Sequence, residues 1–81
     1  MIKRKIKSMT TKDVQKFNRL CCNYPGNIDL AQERYLVDAK SIMGIFCLDM
    51  EKPIYIQTED NKNFETYFKE FIEEEKIGKS T

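Results

Sequence analysis

Histidine and tryptophan are both absent from this chain of 81 residues. Without an imidazole there is no Ser-His-Asp triad, no Cys-His nucleophile pair and no H-E-x-x-H zinc site. Glycine is scarce as well: three residues leave no Gly-rich loop to cradle a phosphate. The three cysteines are an odd number, and Cys21 and Cys22 are adjacent. Sequence neighbours rarely close an unstrained disulfide, so these residues are no disulfide framework. They point instead to a reduced, intracellular protein, placed here in the cytoplasm. No apolar run approaches membrane-spanning length, and no signal-peptide pattern opens the chain. No nucleophile–base pair or metal-ligand spacing is present, so an enzyme is not expected, nor a cofactor or a metal site.

What is there suits one small domain, expected over residues 1–78 with a loose tail at 79–81. The chain carries 14 basic and 13 acidic residues, a net charge of +1. That balance hides an asymmetry: residues 1–40 hold nine Lys/Arg against four Asp/Glu, and residues 41–81 hold five against nine. The mild excess fits solvated faces better than a polyanion site.

Residues 2–8 alternate, with Lys3, Lys5 and Lys7 on one face and Ile2, Arg4, Ile6 and Ser8 on the other. This predicts a basic strand whose lysines discourage edge-to-edge pairing. Too few aromatics lie among them to stack bases, so no direct nucleic-acid partner is expected. Thr10-Thr11-Lys12-Asp13 reads as a capping box. The helix behind it carries Val14, Phe17, Cys21 and Tyr24 as one apolar stripe with Leu20 beside them, and Pro25-Gly26 ends it. Cys21 therefore faces the core and Cys22 does not, and packing outweighs a redox or metal role for both.

Two short strands follow, Ile28-Asp29-Leu30-Ala31 and Tyr35-Leu36-Val37-Asp38, joined by Gln32-Glu33-Arg34 as a hairpin loop. Ser41 is a good N-cap for a helix of one or two turns. That helix holds Ile42, Met43, Ile45, Phe46 and Leu48, more apolar residues than one face buries. Some of them are expected to be exposed as a docking surface. Ile54-Tyr55-Ile56-Gln57-Thr58 alternates as a strand after the turn at Glu51-Lys52-Pro53. Asn61-Lys62-Asn63 leads to a last helix with Phe64, Tyr67, Phe68, Phe71 and Ile72 at helical spacing, Glu65 early, Lys76 late and Gly78 as its stop. Glu73-Glu74-Glu75 is expected to be solvated. The pattern predicts an α+β fold with one antiparallel sheet and helices on one face.

This order, together with Lys40-Ser41-Ile42-Met43-Gly44, resembles HPr, the phosphocarrier family of the bacterial sugar phosphotransferase system (PTS), over nearly the whole chain. The resemblance implies a βαββαβα open-faced sandwich, with strand order 1-4-2-3 and three helices on one side. It also implies a departure. The family histidine that caps the first helix falls here on Thr10, its neighbouring arginine on Lys12 and the following proline on Asp13. Threonine has no imidazole nitrogen to form a labile N–P bond, and Asp13 places negative charge where a phosphoryl group would sit. In this respect the chain is similar to Crh, a variant of the family that lacks the histidine.

The family's second site is matched by Ser41, the serine that an ATP-dependent HPr kinase/phosphorylase modifies in many Gram-positive bacteria. The phosphorylated form there is a corepressor for a catabolite-control repressor. By resemblance, Ile42, Met43 and Phe46 form the partner-binding patch, with Thr10, Lys12 and Lys16 on its rim. Two functions follow as expectations: a regulatory adaptor switched at Ser41, or a phosphorylation-independent binding module using Ile42, Met43 and Phe46. Either is expected to work as a monomer or weak dimer, away from membranes. A helix cap with no modification remains the plain structural role of Ser41.

Overall fold

The computed structural model describes residues 2–59 and 63–73. Seven elements follow in order: β1 (Ile2–Lys5), α1 (Thr11–Asn23), β2 (Ile28–Gln32), β3 (Tyr35–Asp38), α2 (Ile42–Phe46), β4 (Tyr55–Thr58) and α3 (Phe64–Tyr67). The strands form one antiparallel sheet in the order β1-β4-β2-β3, the expected α+β topology. The expected domain end at residue 78, the tail at 79–81, Asn61-Lys62, Glu74, Glu75, Lys76 and Gly78 lie outside the described residues.

Alternation along the strands separates the two faces of the sheet. Ile28 and Leu30 of β2 and Ile56 of β4 are buried beneath the helices. Val14, Phe17 and Cys21 on α1 meet them from above, each fully buried. The opposite face carries Lys5, Tyr55, Ala31 and Leu36 in one row, through the registers Lys5↔Tyr55, Tyr55↔Ala31 and Ala31↔Leu36. Leu36 is exposed there, as an open sheet face leaves it.

The core is completed by an aromatic cluster. Phe68 lies 5.8 Å from Phe17, 5.4 Å from Tyr24 and 5.4 Å from Phe64 between ring centroids. Phe71 meets Phe17 edge-on at 5.1 Å. These distances lie in the range where tilted and edge-to-face rings attract. The hydroxyl of Tyr24 is buried among them and has no hydrogen-bond partner among the described residues.

Three expectations need correction. The last helix, expected to run from Phe64 toward Gly78, ends at Tyr67 after one turn. Phe64, Phe68 and Phe71 of its stripe are buried, but beyond the helix the N–H groups of Phe71 and Ile72 both return to the one Phe68 carbonyl, at 2.9 and 3.1 Å. The Phe71 carbonyl accepts from Lys7 N–H at 2.8 Å and Glu73 N–H donates to the Lys5 carbonyl at 2.9 Å. Backbone groups that a longer helix would use internally are committed to the end of the first strand, through an Ile6↔Ile72 bridge. That strand is itself shorter than residues 2–8, because β1 ends at Lys5. Ile6 continues its line with a hydrogen bond to Ile54.

The hairpin loop has two residues rather than three. Gln32 pairs with Tyr35 inside the sheet, and Glu33 takes a left-handed conformation at φ 55°. A two-residue hairpin of this hand requires a positive φ even where no Gly or Asn supplies it. The Gln32 side chain is buried on the helix side. Its Nε2 donates to the Asp49 carbonyl at 2.7 Å, and its Oε1 accepts from Asp49 N–H at 2.9 Å.

Candidate functional site

The segment entering α2 is fixed by backbone bonds. Ala39 N–H donates to the Ile28 carbonyl at 3.0 Å, which continues the sheet past Asp38. The Asp38 side chain then accepts from Lys40 N–H at 2.9 Å, and the Asp38 carbonyl from Ser41 N–H at 3.0 Å. From α1, Asn18 Nδ2 donates to the Ala39 carbonyl at 3.2 Å, and the Cys22 thiol to the Lys40 carbonyl at 3.5 Å. Lys40 Nζ reaches the Tyr24 carbonyl at 2.9 Å, a cation placed at the C-terminal end of α1 where the helix dipole favours it.

Ser41 stands at the N-cap of α2. Its backbone is extended, and its Oγ accepts from Gly44 N–H at 3.2 Å. The Ser41 carbonyl takes the first intrahelical bond, from Ile45 N–H at 3.1 Å. The serine is exposed and caps the helix as expected. Within α2 the burial divides as the crowding of apolar residues demands. Ile45 is buried and Ile42 half-buried, while Met43 is 77% and Phe46 48% exposed. Met43 and Phe46 are three apart, so they share one face of the helix.

Thr10 is the N-cap of α1 in a complete capping box. Its hydroxyl accepts from Asp13 N–H at 3.2 Å, and its own N–H donates to Asp13 Oδ2 at 2.9 Å. The Thr10 backbone and hydroxyl bonds, with Lys16 nearby, hold the Asp13 carboxyl below the usual range. Lys12 is exposed on the same first turn. Lys16 Nζ pairs with Glu70 Oε2 at 2.7 Å, between two exposed side chains.

The α1 residues that hold the approach to Ser41 are Asn18, Cys22 and Tyr24, about two turns or more beyond Thr10. Lys16 lies about 200° around the helix from Asn18 and faces Glu70 instead. No hydrogen bond or ion pair joins Thr10, Lys12 or Lys16 to Ser41, Ile42, Met43 or Phe46. The anchoring role of Asn18, Cys22 and Lys40 was not foreseen from the sequence. Gln32 was, in principle, visible: it continues the inward series Ile28, Leu30.

Elsewhere, two carboxylates face each other across the hairpin in the pair Asp29↔Asp38. Partial burial and the Asp38 charge push the Asp29 carboxyl up. Among the described residues no three His, Cys, Asp or Glu side chains are grouped to hold a metal ion. All three cysteines are free thiols; Cys21 is buried, and burial pushes it up to about 12, while Cys22 and Cys47 are exposed. No helix among the described residues is long and apolar enough to cross a membrane. No family model, no curated protein and no solved structure matches the chain.

Proposed function

We propose that this chain is an HPr-like protein-binding module of the cytoplasm without phosphohistidine chemistry, regulated at Ser41 in carbon catabolite control. One observation carries the reading. An exposed serine hydroxyl and an exposed apolar pair, Met43 and Phe46, sit on the same short helix. The strand order β1-β4-β2-β3 supports it, as does the position of Ser41 at the start of α2. Thr10 supports the loss of carrier chemistry, because its hydroxyl and N–H are both committed to the capping box.

In this reading an HPr kinase/phosphorylase transfers the γ-phosphoryl group of ATP to Ser41 Oγ. The new O–P bond forms as the bond to ADP breaks, and the hydroxyl proton leaves to a base on the kinase. The phosphoserine adds about −1.5 to −2 charges beside the Met43/Phe46 face. A catabolite-control repressor then reads charge and apolar surface together. No enzymatic activity of the chain itself enters this scheme, and the protein acts as a monomer or weak dimer.

Intact-mass measurement after incubation with ATP and an HPr kinase tests the proposal, with Ser41→Ala as control. One added phosphate, absent from the control, is expected. An unmodified wild-type chain would overturn the switch. The Met43/Phe46 face is exposed with Ser41 unmodified, which favours a second reading, binding without phosphorylation. Partner capture that survives Ser41→Ala and is lost in Met43→Glu would establish that reading in place of the first.

A further inference from the structure

The sheet face opposite the helices carries a gradient of charge. Register sets its side chains in two rows that run from β1 through β4 and β2 to β3. One row is Lys3, Gln57, Asp29 and Asp38; the other is Lys5, Tyr55, Ala31 and Leu36. Bases stand on the β1 side and acids on the β2–β3 side. Lys3, Tyr55, Leu36 and Asp38 are exposed. Lys3 Nζ lies 5.3 Å from the centre of the Tyr55 ring, so the cation leans over this face. The acids have no such company. Among the described residues neither Asp29 nor Asp38 has an ion pair, although Asp38 accepts from Lys40 N–H at 2.9 Å.

We propose that this face docks on the same face of a second copy as a weak two-fold dimer. A two-fold between face-to-face sheets with aligned strands runs either across the strands or along them. Across the strands it would set β1 over β1 and β3 over β3, which stacks lysine on lysine and aspartate on aspartate. Along the strands it sets β1 over β3 and β4 over β2, and keeps each row over itself. Lys3 of each copy then meets Asp38 of the other, twice by symmetry. Tyr55 lies over Ala31, a large side chain over a small one, and Leu36 lies against the aliphatic stem of Lys5. Asp29 faces Gln57, whose amide donates, rather than another acid. Charge thus selects one of the two arrangements, and shape agrees with it. Four strands of this length, about 4.8 Å apart, present roughly 300 Å² per copy, well below the 800 Å² or so of a standard interface, so the dimer is weak. The helices lie on the other side of the sheet and leave Met43 and Phe46 free, so this inference stands apart from the Ser41 reading.

Sedimentation equilibrium of the 81-residue chain tests the dimer. The apparent mass should be that of one chain at about 10 μM and rise toward two chains by about 1 mM. Lys3→Glu alone and Asp38→Lys alone should each stay monomeric over that range. Their equimolar mixture should associate one to one, because each then offers the charge that the other lacks at both symmetric contacts. Circular dichroism checks that each variant folds. Asp38→Asn keeps an oxygen for Lys40 N–H and should weaken wild-type association about tenfold, which separates the charge from the turn. Amide chemical shifts that move with concentration should map to Lys3, Ala31, Leu36 and Tyr55. Shifts confined to Met43 and Phe46 would assign the contact to α2 and overturn the proposal. A wild-type chain still monomeric at about 1 mM, or a mixture no more associated than its parts, would overturn it equally.

Discussion

Replacing Gln32 by methionine removes a buried amide while nearly keeping its volume. The wild-type side chain gives two good hydrogen bonds, 2.7 and 2.9 Å, to the carbonyl and N–H of Asp49, with a longer one of 3.4 Å to the Lys52 carbonyl. A neutral hydrogen bond is worth about 1 kcal/mol net, and a backbone group stranded away from water costs about 1–3 kcal/mol. Asp49 is exposed, so water replaces part of what its backbone loses. The thioether stem recovers part of the packing at the Gln32 site, which is only 4% exposed. These terms place the net loss at about 1–2 kcal/mol. In a domain of this size each kcal/mol moves the melting midpoint by about 4–8 °C. Thermal unfolding followed by circular dichroism should therefore show Gln32→Met melting roughly 4–16 °C below wild type. Gln32→Glu is the sharper companion. Its carboxylate has no donor for the Asp49 carbonyl, so at neutral pH it should lose more than Gln32→Met. Acid should narrow that gap, because the protonated form regains an O–H. A Gln32→Met chain that melts within a degree of wild type would refute the claim that this amide ties the α2–β4 connection to the sheet.

The Asp29↔Asp38 pair carries a pH signature. Partial burial and the facing charge raise the Asp29 carboxyl, so its ionised form opposes folding. The opposition is present above the raised folded-state pKa and is relieved as pH falls through it. Asp29→Asn should stabilise the protein at neutral pH and lose that advantage in acid, as read by denaturant midpoints at both pH values. The Asp13 carboxyl behaves oppositely: it is lowered by the Thr10 bonds, so its contribution is present above the unfolded pKa and is lost as pH falls through the folded one. Thr10→Ala should cost about 1 kcal/mol in urea unfolding at neutral pH. Thiol labelling with a small maleimide should modify Cys22 and Cys47 and leave Cys21 untouched until the protein unfolds, because Cys21 is buried and its thiol is pushed up to about 12. Phe68→Ala, at the centre of the aromatic cluster, should cost about 3–5 kcal/mol and leave a marginal fold.

Local chemistry made much of this fold legible. Thr10 and Asp13 specify a capping box within four residues, and the structure forms both of its bonds. The Val14, Phe17, Cys21 stripe needs only helical period to be seen, and it is buried as that period demands. The strand order rested on the resemblance rather than on any residue pattern. The early end of α3 is not legible, because Phe64, Phe68 and Phe71 satisfy a helical stripe equally well when the helix stops after one turn. What stops it is a remote partner, the backbone of Lys5 and Lys7 about sixty-five residues earlier, and no local propensity reports that competition. The resemblance sets Lys16 on or near a rim with Ser41, and the sequence alone shows no partner for it. Its salt bridge to Glu70 depends on where α3 packs, which only the folded chain defines.

Gln32 has one more consequence. The short helix α2 is pinned at its entrance by Asn18, Cys22 and the Asp38 turn, and just beyond its exit by the grip of Gln32 on Asp49. A five-residue helix has too few internal bonds to hold its own shape. With both ends clamped, Met43 and Phe46 are displayed from a platform whose backbone ordering was completed when the protein folded. A partner that lands there loses its own freedom of motion and some side-chain rotamers, but it need not order this helix. Association would resemble two preformed surfaces meeting, with a rate set by encounter and orientation. In the proposed reading, loosening the clamp at Gln32 would slow or weaken docking without altering a single atom of the contact face.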